Sequence, residues 1–287
     1  MKRVLGGLAV VVIALLLGNW IVVQPATTRE WALGQQRAPR AVIAGDSLTI
    51  RAVRNFDWKP DRSATERWED RHYDLSKLES AWFVLAPFDQ ENRGPAHTFL
   101  SFGFSDSQYV AISVEARREN GEDYSLLKGL LRRYEVLYVI GTENDVVGLR
   151  LQRGDDVYLY PIRTSRDKVR ALFLEMLERA NQLAVDPEFY NTLTNNCTTN
   201  ILEHANSVSP GRIPYGKEVL LPGYADELAQ RLGLIDADAT IEEVRARYLI
   251  NDRARAAAGT TPGDSGFSLR IREHAPPVTA DSASRSQ

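Results

Sequence analysis

One cysteine, Cys197, stands in 287 residues, beside two methionines and four histidines. A single cysteine excludes an intramolecular disulfide. Cys197 with His72, His97, His204 and His274 also offers none of the usual zinc-ligand spacings. A glycine-rich phosphate loop is missing too: Gly216-Lys217 has no following Ser or Thr and no upstream glycine at Walker spacing. Charge is nearly balanced, 35 basic against 38 acidic residues for a net −3, so the clustered Lys/Arg excess of a nucleic-acid surface is lacking. There is no internal repeat. What remains is a globular chain long enough for one large or two ordinary domains. No cofactor, metal or nucleic-acid partner is implied, and any chemistry falls to ordinary side chains.

The first feature present is a nearly unbroken apolar run from Val4 to Val23, preceded by Lys2-Arg3. At 1.5 Å per residue such a run crosses a bilayer core of ~30 Å, and the basic residues in front predict an N-in, C-out orientation. A cleaved signal peptide is the competing reading, but no small-x-small cleavage site is found around residues 19–26. Residues 1–25 are therefore expected to be a transmembrane anchor (or signal peptide). Either way the rest of the chain lies outside the cytoplasm.

Residues 26–41, polar with scattered Pro and Ala, read as a linker, and 42–255 as the folded domain. Residues 47–54 alternate as a strand, and 81–88 suit a short buried one. In 97–104, His97, Phe99, Ser101 and Gly103 share one strand face and Thr98, Leu100, Phe102 and Phe104 the other. Ser105-Asp106-Ser107 is a turn signal, and residues 108–114 a second strand, together a hairpin. A three-residue loop sets His97 opposite Glu115; a two-residue loop sets it opposite Ala116. A short helix over 124–133 and strands at 135–140 and 156–162 follow. The clearest helix spans 165–184, where Val169, Leu172, Phe173, Met176, Leu177, Ala180 and Leu183 form one apolar stripe. Two short helices fall at 224–232 and 241–250. Residues 256–287 read as a C-terminal extension, disordered beyond His274.

Asn195-Asn196-Cys197-Thr198-Thr199-Asn200 precedes an apolar-periodic segment. Asn is a strong N-cap, so the thiol falls in a first helical turn, where free N–H groups and the dipole favour a thiolate. A small buried apolar side chain accounts equally well for a lone cysteine. To act as a nucleophile the thiol needs a base, and His97, at a strand start, is the best placed. His204 lies on the same helix about two turns, or ~10 Å, away; His72 sits among charges, and His274 borders the tail.

Ala96-His97-Thr98-Phe99-Leu100-Ser101-Phe102-Gly103-Phe104, then Ser113-Val114-Glu115-Ala116-Arg117-Arg118-Glu119, then Phe189-Tyr190-Asn191-Thr192-Leu193-Thr194-Asn195-Asn196-Cys197 resemble the Lnb N-terminal periplasmic domain family of bacteria. The resemblance runs from about residue 50 to 254. It implies an α+β, papain-like cysteine fold of the NlpC/P60 superfamily with an antiparallel sheet packed on helices. The order His then Cys is similar to the circularly permuted branch that includes the lecithin:retinol acyltransferases. Family members with an assigned role acylate the α-amino group of lipoproteins. Larger members carry a further membrane-embedded region, whereas this sequence has one long apolar run.

On this resemblance Cys197 is the nucleophile, His97 the base and Glu115 the third member that orients the imidazole. The Cys197 backbone N–H, helped by Asn195 or Asn196, is a candidate oxyanion donor, though capping accounts equally well for both Asn residues. The expectation is a single-pass inner-membrane protein with a periplasmic cysteine acyltransferase domain. It would move a phospholipid acyl group through a thioester to an amine, such as a lipoprotein or peptide N-terminus. A cysteine hydrolase cutting a cell-wall peptide or amide bond is the alternative. Arg51, Arg54 and Asp57 are left open between structural roles and binding a phosphate head group.

Overall fold

The computed structural model describes residues 24–209, 211, 213–258 and 265–273. The expected anchor lies outside them except for residues 24 and 25, as does His274. No helix among the described residues is long and apolar enough to cross a membrane.

The ten described strands are β1 (Arg40–Ala44), β2 (Ser47–Arg54), β3 (Asp57–Trp58), β4 (Ala64–Thr65), β5 (Trp68–Asp74), β6 (Leu78–Pro87), β7 (Ala96–Phe104), β8 (Tyr109–Arg117), β9 (Glu135–Gly141) and β10 (Tyr158–Pro161). Eight of them form one sheet in the order β1-β2-β9-β8-β7-β6-β10, with β5 on the other edge of β2; β3 and β4 pair separately. Every pairing in the main sheet is antiparallel except one, where β2 meets β9 in parallel at Arg54 and Gly141. The α+β class holds, but the expected antiparallel sheet is mixed, because β9 enters beside the end of β2 running the same way.

The helices are α1 (Leu126–Leu130), α2 (Glu143–Gln152), α3 (Arg166–Leu183), α4 (Cys197–Val208), α5 (Lys217–Leu220), α6 (Ala225–Arg231), α7 (Ile241–Tyr248), α8 (Asn251–Ala257) and α9 (Ser265–Arg270). They cover both faces of the sheet. On one, Leu100, Phe102 and Phe104 of β7 meet the stripe of α3, whose buried residues are the seven read from the sequence. On the other, Phe99 and Ala111 meet Val146 and Val147 of α2, Ala254 and Ala257 of α8, and Phe267 and Ile271 at α9. Each Val, Leu, Ile, Phe or Met among them, fully buried, contributes roughly 1.5–3 kcal/mol. Part of the expected C-terminal extension therefore belongs to the core.

The stretch expected as a linker, residues 26–41, lies against the domain. Trp31 is buried and bridges to Glu119, and Gln35 donates to the Ala116 carbonyl at 3.1 Å and accepts from the Arg118 N–H at 2.8 Å. Arg54 and Asp145 form a second fixed point. The Asp145 carboxylate accepts from Arg54 Nε (2.9 Å), the Phe56 N–H (2.7 Å) and the half-buried Trp58 indole (2.8 Å), and the Arg54–Asp145 pair itself is buried. Arg54 is thus committed to joining β2 and β3 to α2, while Arg51 and Asp57 are exposed.

The β7–β8 hairpin turns through Ser105-Asp106-Ser107, with the Phe104 N–H donating to the Gln108 carbonyl at 2.9 Å and Ser107 at φ 63°. This is the three-residue loop. The ladder from Gly103↔Tyr109 to Phe99↔Ser113, continued by two residues, sets His97 across from Glu115. Only glycine fits at Gly103, where a Cβ would lie 2.7 Å from the Tyr109 ring and 2.6 Å from Ser80 Oγ.

Candidate active site

Cys197 opens α4, and the residues before it are held by their own side chains. Asn191 and Asn195 exchange two backbone hydrogen bonds at 3.0 Å. Asn196 then caps the helix: its Oδ1 accepts from the Thr198 and Thr199 N–H groups, both at 2.9 Å, and Thr199 Oγ1 accepts from the Asn196 N–H at 2.8 Å. This reciprocal pairing satisfies donors that the first turn otherwise leaves without acceptors. Asn195 is equally engaged, donating to the Phe189 carbonyl at 3.0 Å and accepting from Asn200 Nδ2 at 2.8 Å. Both Asn side chains thus hold the loop, and of the first-turn N–H groups the Asn196 side chain takes those of Thr198 and Thr199.

Helix α4 is tied to β7 at this point. Thr98 Oγ1 and Thr198 Oγ1 are 3.2 Å apart, and Cys197 Sγ lies 3.8 Å from Thr198 Oγ1. Cys197 is 7% exposed, and burial by itself pushes the thiol up. The hydrogen bond and charge of His97, the Thr98 backbone N–H and the Thr198 hydroxyl outweigh burial and bring it down from the ordinary 9.0 to about 7. At neutral pH the sulfur is therefore a substantial fraction thiolate.

His97 is buried, with Nε2 2.7 Å from Ser113 Oγ and 3.2 Å from Glu115 Oε1. Ser113 donates its proton to Glu115 Oε1 at 2.7 Å, so its lone pair accepts from the Nε2–H, and with Nε2 so engaged Nδ1 is the ring nitrogen left for the thiol. Burial and the Arg150 guanidinium press the imidazole toward its neutral form; the Glu115 charge and the bonds to Cys197 and Glu115 win, and its pKa is raised. Burial works against the Glu115 carboxylate, but the charge and bond of His97, then Arg150 (Nη2 at 3.3 Å) and Ser113, hold it well below the usual range. The result is a relay, Cys197–His97–Ser113–Glu115–Arg150, that can take a proton from the thiol and stabilise the imidazolium.

The structure brings together Cys197, His97 and Glu115. It leaves out His72, paired with Thr49, and His204, bonded through Nε2 to the Tyr138 hydroxyl at 2.7 Å. Sequence reasoning missed Ser113, although it stands two residues before Glu115 on the same strand face. Arg150 carries no such signal. Also missed were Tyr190 and Tyr124, whose hydroxyls lie 3.4 Å apart. Burial, and after it for Tyr190 the negative charge of Cys197, keeps that phenol protonated beside the thiolate; burial, the Tyr190 bond and Cys197 set Tyr124, whose pKa is also raised.

Glu115→Gln removes the charge that holds His97 cationic against Arg150. The pH midpoint for alkylation of Cys197 by iodoacetamide is expected to rise above about 7, by less than when the imidazole itself is lost. An unmoved midpoint would show that Glu115 does not act through His97.

A family model described as the Lnb N-terminal periplasmic domain matches residues 64–221. That span covers β4 to α5 and includes His97, Ser113, Glu115, Arg150 and Cys197. No curated protein and no solved structure matches the chain.

Proposed function

This chain belongs to the Lnb N-terminal periplasmic domain family, and from that premise we propose that it is a membrane-anchored cysteine acyltransferase of circularly permuted papain-like fold, working on the periplasmic face of the inner membrane. The observation that carries the reading is the buried Cys197–His97–Ser113–Glu115 relay, with the thiol brought to about 7 at a helix N-terminus. The order of elements supports the fold, with the His strand preceding the Cys helix and a sheet packed on helices between them. The family and the apolar run ahead of Gln24 support the location.

The reaction is a two-step transfer. His97 takes the thiol proton, and the Cys197 thiolate adds to the ester carbonyl of a phospholipid. The Cys197 N–H, the first-turn donor that the Asn196 side chain does not cap, is the donor offered to the oxyanion, with the Tyr190 hydroxyl as a further candidate. Collapse breaks the acyl C–O bond; the departing alkoxide receives the proton from His97, leaving an acyl thioester on Cys197 and a lysophospholipid. A lipoprotein or peptide amine then adds to the thioester, His97 removes its proton, and cleavage of the C–S bond releases the amide and returns the thiolate.

Full-length protein incubated with phospholipid is expected to carry a hydroxylamine-labile adduct of fatty-acyl mass on Cys197, seen by mass spectrometry and absent from Cys197→Ala. No adduct with any lipid class would overturn the transferase reading. Cys197-dependent cleavage of muropeptides in the same preparation would move the site to the hydrolase class, with water in place of the amine.

A further inference from the structure

Residues 124–133 form a ledge beside the thiol that the chemistry above does not use. In six residues it exposes Leu126 (53%), Leu127 (64%), Leu130 (40%) and Leu131 (39%). Four large apolar side chains this close together on a surface mark a binding face. The ledge is built onto the active-site loop. A Cβ at Gly129 would meet Thr192 Oγ1 at 2.3 Å and the Tyr190 ring at 3.3 Å, so α1 sits directly on these residues. Thr192 Oγ1 donates to the Leu126 carbonyl at 2.8 Å, and the Thr192 carbonyl accepts from the Asn196 cap at 2.6 Å. From Leu126 to Cys197 the path is one rigid chain of contacts.

The same edge receives the chain from its apolar run. That run, Val4 to Val23, is 20 residues and ends at the residue before Gln24. The next residues bind at once to the ledge's neighbours: the Ala26 N–H donates to Glu135 Oε1 at 3.1 Å, and Arg29 pairs with Glu119 at 2.7 Å. Glu135 follows Tyr134, whose hydroxyl donates to the Asp123 carbonyl and accepts from the Ser125 N–H, both at 2.9 Å, just ahead of α1. Arg132, with its guanidinium 4.5 Å over the Phe189 ring, and exposed Arg133 close the ledge with cations suited to phosphate head groups.

We infer that the Leu126–Leu130 helix and Leu131 dock on a phospholipid bilayer surface, seating the mouth of the Cys197 site among the ester groups of its lipids. The inference rests on the anchor reading of Val4 to Val23, and independently on the position of the leucines. Apolar side chains enter the acyl boundary, as in other interfacial helices. The occupant is the bilayer, because the exit of the apolar run and the leucines share one edge of the domain.

The test uses the full chain in phosphatidylcholine–phosphatidylethanolamine vesicles, with Cys197→Ala removing the only thiol. Nitroxide labels are attached at Leu127→Cys or, for reference, at Ser105→Cys, in the hairpin turn roughly 30 Å away at the other end of β7. Collisions with oxygen should be favoured at Leu127 and collisions with a water-soluble nickel chelate at Ser105, the ratio differing at least tenfold. A Leu127 label as aqueous as Ser105 overturns the docking. So does a label shielded from both reagents, which places a second copy or the chain's own apolar run on the ledge. A chain that does not float with vesicles overturns the anchor and the docking together. In a second arm, with Cys197 restored, Leu127→Glu should lower adduct formation from bilayer lipid at least tenfold. Alkylation of Cys197 by iodoacetamide and acylation by a monomeric short-chain lipid should be unchanged. Absence of any acyl adduct in the parent protein speaks against the transferase reading alone, because the labels read docking without chemistry.

Discussion

In His97→Asn, the pH midpoint for alkylation of Cys197 is expected to move from about 7 to above 9. The imidazole supplies both the hydrogen bond and the positive charge that offset burial. With it gone, burial acts against only the Thr98 N–H and the Thr198 hydroxyl, so the thiol returns to at least its ordinary value of 9.0. At pH 7 the reactive fraction then falls from about one half to about one hundredth of its own alkaline plateau. The sign is that of an acid whose anion has lost its partner: reactivity disappears near neutrality and survives only at high pH. In the acyl transfer proposed above the loss is larger, because there His97 would also deliver the proton to the leaving alkoxide. A further loss of 10²–10⁴-fold is the usual size of that contribution. A pH profile of alkylation, read beside adduct formation on the same protein, separates the two effects. A midpoint that stays near 7 would mean the first turn of α4 activates the thiol unaided.

Asp145→Ala is expected to destabilise the domain by about 3–5 kcal/mol, the range for breaking a buried ion pair from one side. The loss goes beyond the pair. Arg54 keeps only the Gly34 carbonyl at 3.1 Å, and the Phe56 N–H and Trp58 indole lose their acceptor. At 2–4 °C per kcal/mol for a domain of this size, thermal unfolding should come roughly 10 °C earlier. Arg54→Met with Asp145→Leu should recover only part of this. It removes the buried charges but leaves the Phe56 and Trp58 donors unanswered. A shift of a degree or two in the single variant would show that solvent reaches the site and replaces the carboxylate. Asp145 stands on α2 one and a half turns before Arg150. Loosening that helix should therefore also disturb the far end of the relay.

The elements that position Cys197 and His97 were legible because their determinants are local. Alternation marked β7 and β8, the apolar stripe marked α3, and the Asn-Asn-Cys-Thr-Thr run marked a capped helix start. Glu115 was legible only to within the loop length, and the Ser105–Ser107 turn decides it. Other elements were hidden. Strand β5, Trp-Glu-Asp-Arg-His-Tyr-Asp, keeps most of its side chains at least partly exposed beside β2, so no alternation announces it. Helix α2 buries Glu143, Asp145 and Arg150 together with Val146, Val147 and Leu149, which leaves no apolar stripe to find. Its charged residues are answered from far along the chain: Glu143 by Ser101 and Arg272, Asp145 by Arg54, and Arg150 by Glu115. Such pairings follow from tertiary contact, and neither spacing nor propensity carries them. Trp31 and Gln35 look like tether residues for the same reason.

The contact between Thr98 and Thr198 spans 100 residues of chain, and this has a consequence for when the site comes into being. Closing so long a loop is entropically slow, and its reward arrives only when both ends are in place. A chain emerging from the N-terminus can fold β1 to β8 while Cys197 is still to come. Until α4 docks, the sulfur has neither His97 nor the Thr98 N–H beside it and remains an ordinary, weakly ionised thiol. Reactivity is thereby gated by completion of the fold: partly folded chains are chemically quiet, and the thiolate appears only in molecules that have already enclosed it.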